Sequence, residues 1–291
     1  MTVERPTRPT GAWTDHLRKA WRRRIGTRSA RLDRAAHRVY FQWERFRLAL
    51  RLMADPGSVW RYLRLESRWA PREPVGVRVR PLAGAEIWLR PGTTDAVVLR
   101  ETFRHGAHQA PGPSDRTVRH IVDLGANVGI TVAHNATLHP SARIVAVELD
   151  AGNAEMARRN CARFGARVVI LQGAVWTSDG QVSYRPQRGN EHGLRVSDDA
   201  GGTTTEALSM DTIFSELSED ARVDYLKMDI EGVEASLLSG EAARWADRVD
   251  SIGLQVHEPY TLDECSRDLT ALGFEPRLEP RRVNYIVAVR P

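Results

Sequence analysis

The chain has 291 residues, 42% hydrophobic and 27% charged, enough to bury a substantial core as one main domain with an extension. Its net charge of +5 hides an asymmetry, because residues 1–80 carry 20 Lys+Arg against 7 Asp+Glu and residues 81–291 carry 22 against 30, so attraction to anionic partners belongs to the N-terminus. Cys161 and Cys265 alone form no disulfide framework, no stretch nears the roughly 20 apolar residues needed to span a bilayer, and the first thirty residues lack the apolar segment of a signal peptide; the expectation is a soluble, cytoplasmic protein.

Residues 1–11, with two prolines and little apolar matter, read as a flexible start. From Trp13 to Met53 the pattern is helical: Val39, Trp43, Phe46, Leu50 and Met53 step by threes and fours with Arg38, Arg45, Arg47 and Arg51 interleaved, until Asp55-Pro56-Gly57 stops it. RWAPREPVG, residues 68–76, looks like a boundary, dividing a basic Trp/Arg-rich extension (1–75) from the main domain (76–291). VGVRVRPL and AEIWLRPG then predict a small β element. Beyond Arg119, apolar runs predict strands at 120–124, 143–148, 167–172, 223–228 and 251–257, separated mostly by helix-compatible segments such as 151–164. Runs such as IVAV are buried on both faces and belong to a parallel sheet. The last stretch, FEPRLEPRRVNYIVAVRP, has no room for a helix between its two β runs, so these should pair as a hairpin. The expected architecture is α/β, a mostly parallel seven-stranded sheet ending in an antiparallel pair. The polar segment 185–202 reads as a long loop, either a lid or a solvated insertion.

In such a sheet the ligand lies across the carboxyl ends of the strands. Strand one ends at Asp123-Leu124-Gly125-Ala126-Asn127-Val128-Gly129 and strand two at Glu148. Glycines let a ligand approach the backbone, and an acid ending the next strand can accept two hydrogen bonds from ribose hydroxyls, which describes an adenosine site. A dinucleotide fingerprint would read G-x-G-x-x-G; here the spacing is G-x-x-x-G after an acid, which suits a cationic sulfonium ligand better than a pyrophosphate. The alternative is that Gly125 and Gly129 make only a tight strand-to-helix turn.

LRPGTTDAVVLRETF, IVDLGANVGIT, IVAVELDAGN, GAVW, YLKMDIEGVE and a strand ending in VH stand in that order over residues 86–290. In these blocks the chain resembles the FkbM family of S-adenosylmethionine-dependent methyltransferases, and LKMDIEGVE, which unites Lys227, Asp229, Glu231, Gly232 and Glu234, is the most specific of them. The resemblance implies the class I (Rossmann-like) methyltransferase fold and S-adenosyl-L-methionine as cofactor. It implies that Asp123, Gly125 and Asn127 face the methionine part, that Glu148 holds the ribose, and that Ala174 and Val175 lie by the adenine. Gly129 completes the loop, and Asp95 would stand near the mouth of the site without an assigned role. One departure is Gln255, where the family usually has a glutamate; Glu258 could substitute only if the strand ended early.

Asp229, Glu231 and His257 follow the ends of strands four and five, where a methyl group would be transferred. His257 is the first choice as general base for a hydroxyl acceptor, since an unperturbed pKa of about 6.5 suits neutral pH. Asp229 and Glu231 would orient the acceptor or hold a divalent cation, which is possible but not expected. Against these roles, Glu231-Gly232 can simply start a helix and Lys227 can hold Asp229 in place. His134 and His192 read as structural or surface residues. The resemblance implies O-methylation of a small molecule, a secondary metabolite or a sugar; the residues alone would permit N-transfer. The rivals are an RNA methyltransferase or RNA-binding protein using the basic arm and a nicotinamide-dependent oxidoreductase, which the missing third glycine disfavours. For residues 13–69, a helical cap on the domain comes first, peripheral contact with an anionic membrane second and nucleic acid third. The oligomeric state is left open.

Overall fold

The computed structural model describes residues 42–67, 69–105, 110, 117–186, 194–197, 203–218, 221–230, 232–280 and 282–291, so the helical pattern expected over residues 13–41 lies outside the described residues. The chain divides into two compact units, residues 1–48 and 49–291, and the division expected at residue 75 falls inside the second. In the first, residues 42–48 are helical, with Glu44 and Arg47 paired at 2.8 Å.

In the second unit, Asp55-Pro56-Gly57 does more than end a helix. It starts α1 (Pro56–Leu65): the Asp55 carboxylate accepts the Ser58 amide at 2.8 Å, and Pro56 sits where the first turn needs no N–H. Tyr62 and Leu65 of α1 are buried, and Arg61 donates to the Gly76 carbonyl at 2.7 Å. That bond fastens α1 to the antiparallel hairpin of β1 (Val75–Val79) and β2 (Ala85–Leu89), the small β element the sequence predicts. After the hairpin comes α2 (Asp95–His105).

The main sheet then builds in chain order through β3 (His120–Leu124), α3 (Ile130–Leu138), β4 (Arg143–Glu148), α4 (Ala151–Cys161) and β5 (Val168–Gln172). Next come β6 (Ala174–Val175), β7 (Gly180–Pro186), β8 (Leu194–Ser197), β9 (Thr203–Leu208) and α5 (Met210–Ser215). β10 (Tyr225–Met228), α6 (Glu234–Leu237), β11 (Ser251–Gln255), α7 (Leu262–Ala271), β12 (Glu275–Leu278) and β13 (Tyr285–Val289) complete the chain. The seven-stranded sheet runs β12-β13-β11-β10-β3-β4-β5; five strands pair in parallel, β13 runs antiparallel to β11, and β12 pairs antiparallel with β13 as the expected hairpin. This is the class I, Rossmann-like methyltransferase architecture. β3, β4, β10 and β11 are buried nearly throughout, which is why they read as unbroken apolar runs.

Segment 185–202 departs from the expected loop. β7 and β8 pair antiparallel, Ser183 to Pro186 against Leu194 to Ser197, within a second sheet of order β6-β9-β7-β8. Its strands alternate in short polar stretches, QVSYRP and TTTEAL, whose apolar content is too low to stand out from a solvated loop. No helix among the described residues is long and apolar enough to cross a membrane.

Candidate active site

The strand order reverses between β3 and β10, and there a cavity of about 280 Å³ opens at the carboxyl ends of the strands. Gly125, Asn127, Glu148, Ala174, Val175 and Asp229 all line it. Asp123, Gly129 and His257 stand outside that lining, and Glu231 lies outside the described residues, as does His192.

The loop after β3 is pinned to β4 by the amides of Gly125 and Ala126, which both donate to the Val147 carbonyl at 2.9 Å. Asn127 takes a left-handed φ of 49°, and its amide donates to Glu148 Oε2 at 2.7 Å. The other oxygen, Oε1, accepts the Asp150 amide at 2.9 Å. Burial raises the Glu148 pKa, while these amides and Lys227 pull it back down. The glycines have a packing reason that spacing does not reveal. A Cβ on Gly125 would stand 1.9 Å from the Asp229 carbonyl oxygen, and one on Gly129 would stand 2.9 Å from the Ala157 Cα, with φ at 83° and 77°. Gly125 therefore lets β3 and β10 end side by side, and Gly129 lets α3 approach α4.

Asp123 lies beneath the loop, fully buried, where it accepts the Thr131 hydroxyl at 2.6 Å and faces Lys227 Nζ at 2.8 Å. Lys227 also donates to the Gly125 carbonyl at 2.7 Å and lines the cavity. Its distance to Asp229 is 4.0 Å, so its close carboxylate partner is Asp123 across the sheet rather than its neighbour in sequence.

His257, just past β11, places Nδ1 2.5 Å from Glu234 Oε1 and Nε2 3.6 Å from Asp229 Oδ1. Glu234 is fully buried and also accepts the Gly232 amide at 2.8 Å. The sequence marked Glu234 as part of a motif without finding this contact. Gln255 ends β11 opposite Tyr285, and Glu258 is exposed and outside the cavity lining. Among the described residues, no three His, Cys, Asp or Glu side chains gather closely enough to hold a metal ion.

Sequence reasoning also missed one wall. α2 contributes Val97, Val98, Glu101 and Thr102 to the cavity. Asp95, at its first turn, is buried and accepts Arg90 Nη2 at 2.8 Å, Nε at 3.0 Å and the Arg90 amide at 2.8 Å. Arg90 reaches on to Asn153 Oδ1 at 2.6 Å, and Asn153 lines the cavity beside Glu148. His134 is a packing residue as expected, buried in α3 with its ring edge-on to Phe103 of α2 at 4.9 Å.

O-methyltransferase imqG of Aspergillus flavus is 29% identical over 167 residues, 52% of this chain and 65% of the relative, so the match spans less than two thirds of that protein's length. Among solved structures, a human methyltransferase 10 domain containing protein has a TM-score of 0.40 at 15% identity, covering 67% of this chain and 82% of the other. Precorrin-6y C5,15-methyltransferase of Geobacter metallireducens likewise has a TM-score of 0.40 at 15% identity, with 68% and 90% covered. At that level these two say nothing about activity. The model of the Methyltransferase FkbM domain matches residues 123–275, 153 of the 291 and thus more than half of the chain, from the buried aspartate of β3 to the start of β12. The chain belongs to the FkbM family of methyltransferases.

Proposed function

We propose that this chain is an S-adenosylmethionine-dependent O-methyltransferase whose acceptor is a hydroxyl of a small molecule, a secondary metabolite or a sugar. One observation carries the reading: a single cavity has the tethered carboxylate of Glu148 in its wall and Asp229, with His257 against it, at the end of β10. The O-methyltransferase name of the fungal relative supports oxygen as the acceptor atom.

The residues suit the cofactor. A carboxylate offers about four acceptor sites; at Glu148 the Asn127 and Asp150 amides and, at 3.5 Å, the Asn153 side chain take three of them, leaving capacity for a ribose hydroxyl. Ala174 and Val175 would flank the adenine, and Lys227 suits the carboxylate of the methionine part. Gly125 and Asn127 would face that part directly, with Asp123 acting from beneath through Lys227 and Gly129 holding the loop against α4. When bound, S-adenosylmethionine supplies a methyl group on a positively charged sulfur. Asp229 orients the acceptor hydroxyl, and Nε2 of His257 takes its proton.

His257→Ala should lower turnover by about a hundredfold while leaving affinity for S-adenosylhomocysteine within about twofold. Calorimetry with S-adenosylhomocysteine and with NAD separately tests the cofactor, and binding of NAD alone would sink the reading. The acceptor is sought by mass spectrometry for a gain of one CH2, using isotopically labelled methyl donor and an extract of the native cell. Unchanged turnover in His257→Ala would remove it as base.

A further inference from the structure

We infer that Glu234 is the positioning residue of this site: it fixes which nitrogen of His257 carries the ring proton, and so keeps the proton-accepting lone pair on Nε2. The inference rests on the reading of His257 as base. Glu234 is fully buried, and each of its oxygens has a separate task. Oε2 accepts the amide of Gly232, whose left-handed φ of 97° turns that N–H back toward the start of α6. Oε1 meets Nδ1 of His257. The carboxylate is therefore oriented by the backbone before the histidine is considered, and it orients the ring rather than the reverse. An ionised carboxylate only accepts hydrogen bonds, so the neutral ring must place its proton on Nδ1. Nε2 then carries the lone pair, on the side where Asp229, which lines the cavity, stands 3.6 Å away.

The proton balance follows from this arrangement. The hydroxyl O–H bond breaks and its proton moves to Nε2, while the electron pair stays on the acceptor oxygen for the new carbon–oxygen bond; the donor's methyl–sulfur bond would break in the same displacement, its electron pair staying on sulfur to leave S-adenosylhomocysteine. Nδ1–H remains bonded to Glu234, whose negative charge now faces an imidazolium, and Nε2–H is released to solvent after turnover. A merely structural Glu234, an acid in the first turn of α6 that satisfies the Gly232 amide, would leave the choice of tautomer open.

Glu234→Gln separates the two roles. The amide oxygen still accepts the Gly232 N–H, which puts NH2 against Nδ1; the opposite orientation would set that NH2 against the Gly232 N–H. The ring must then accept at Nδ1 and carry its proton on Nε2, where a base is lost. With labelled S-adenosylmethionine and native-cell extract as the acceptor source, the rate at saturating cofactor should fall by about a hundredfold or more, with KM for S-adenosylmethionine within about twofold. Glu234→Asp, which keeps the charge, should recover part of the loss.

The tautomer itself is read from side-chain nitrogen NMR shifts of histidine-labelled protein, with His257 assigned by its loss in His257→Gln and at a pH where the ring is neutral. The expected result is Nδ1–H in the wild type and Nε2–H in Glu234→Gln. Nε2–H in the wild type overturns the inference, even if the variant does not fold. A variant rate within about twofold of the wild type overturns it as well. If instead the wild type shows Nδ1–H and no methyl transfer occurs, the Glu234–His257 arrangement stands and it is the methyltransfer reading that fails.

Discussion

Lys227 and Asp123 face each other at 2.8 Å with 2% and 0% of their side chains exposed, so neither charge has water to fall back on. Removing one partner of such a pair strands the other. Lys227→Met should therefore destabilise the fold by about 3–5 kcal/mol, and adding Asp123→Asn should restore part of that loss. Urea unfolding of the two single variants and the double variant measures the coupling, and strictly additive losses would show that the two side chains stabilise the fold independently. The residues of this site were legible in the sequence as types, while their pairings were not. Lys227 precedes Asp229 by two positions, but its close carboxylate partner is Asp123 on the neighbouring strand, a cross-strand register that no local spacing encodes. Glu234 was visible within LKMDIEGVE, yet its meaning depends on His257, which arrives beside it only when β11 lies next to β10. Gly125 was read as making room for a ligand, whereas the nearest atom a side chain would strike is the Asp229 carbonyl oxygen.

At the scale of elements, the fastenings of the cavity wall formed by α2 include Arg90–Asp95 at its start, Arg100–Glu66 in its middle and the Phe103–His134 contact near its end. Asp95→Asn keeps the shape but weakens the charge-assisted bonds, and Arg90 in turn loosens its hold on Asn153 beside Glu148. The expected cost is about 1.5–3 kcal/mol of stability. Affinity for S-adenosylhomocysteine should weaken about tenfold, or ~1.4 kcal/mol, by calorimetry; unchanged affinity would detach this clasp from the site. At the Phe103–His134 contact, burial pushes the His134 pKa down to about 4 from 6.5, with His139 adding to the shift. The folded state thus holds its proton less readily than the unfolded chain. Stability from this group is complete above pH 6.5 and is lost as pH falls toward 4, by up to about 3 kcal/mol. In His134→Leu, unfolding measured on either side of that window should lose this part of the pH dependence, and an unchanged profile would assign it to other groups. The elements themselves were unevenly legible. Strands of the main sheet announce themselves because both faces are buried, whereas α1 hides in a Pro-Gly pair that looks like an ending, and β7 to β9 alternate too weakly to be told from loop.

For the whole molecule, charge divides where structure does not. Residues 1–41 carry 11 Lys+Arg against 3 Asp+Glu, +8, so a chain without them would pass from +5 to −3. If this charge draws the protein to an anionic lipid surface, sedimentation with vesicles rich in anionic phospholipid should pull down the full chain at low salt and release it at high salt. Deleting residues 1–41 should abolish that binding and leave affinity for S-adenosylhomocysteine within about twofold, because the cavity lining among the described residues runs from Val97 to Arg282. Vesicle binding that survives the deletion would move the attraction to residues 42–291. There the exposed rings of Trp60 and Trp69 flank Arg64, whose guanidinium stacks on Trp60 at 4.5 Å and donates to the Trp69 carbonyl oxygen. A full chain that ignores the vesicles but binds RNA in a salt-sensitive way would instead turn the arm toward nucleic acid, and with it the acceptor.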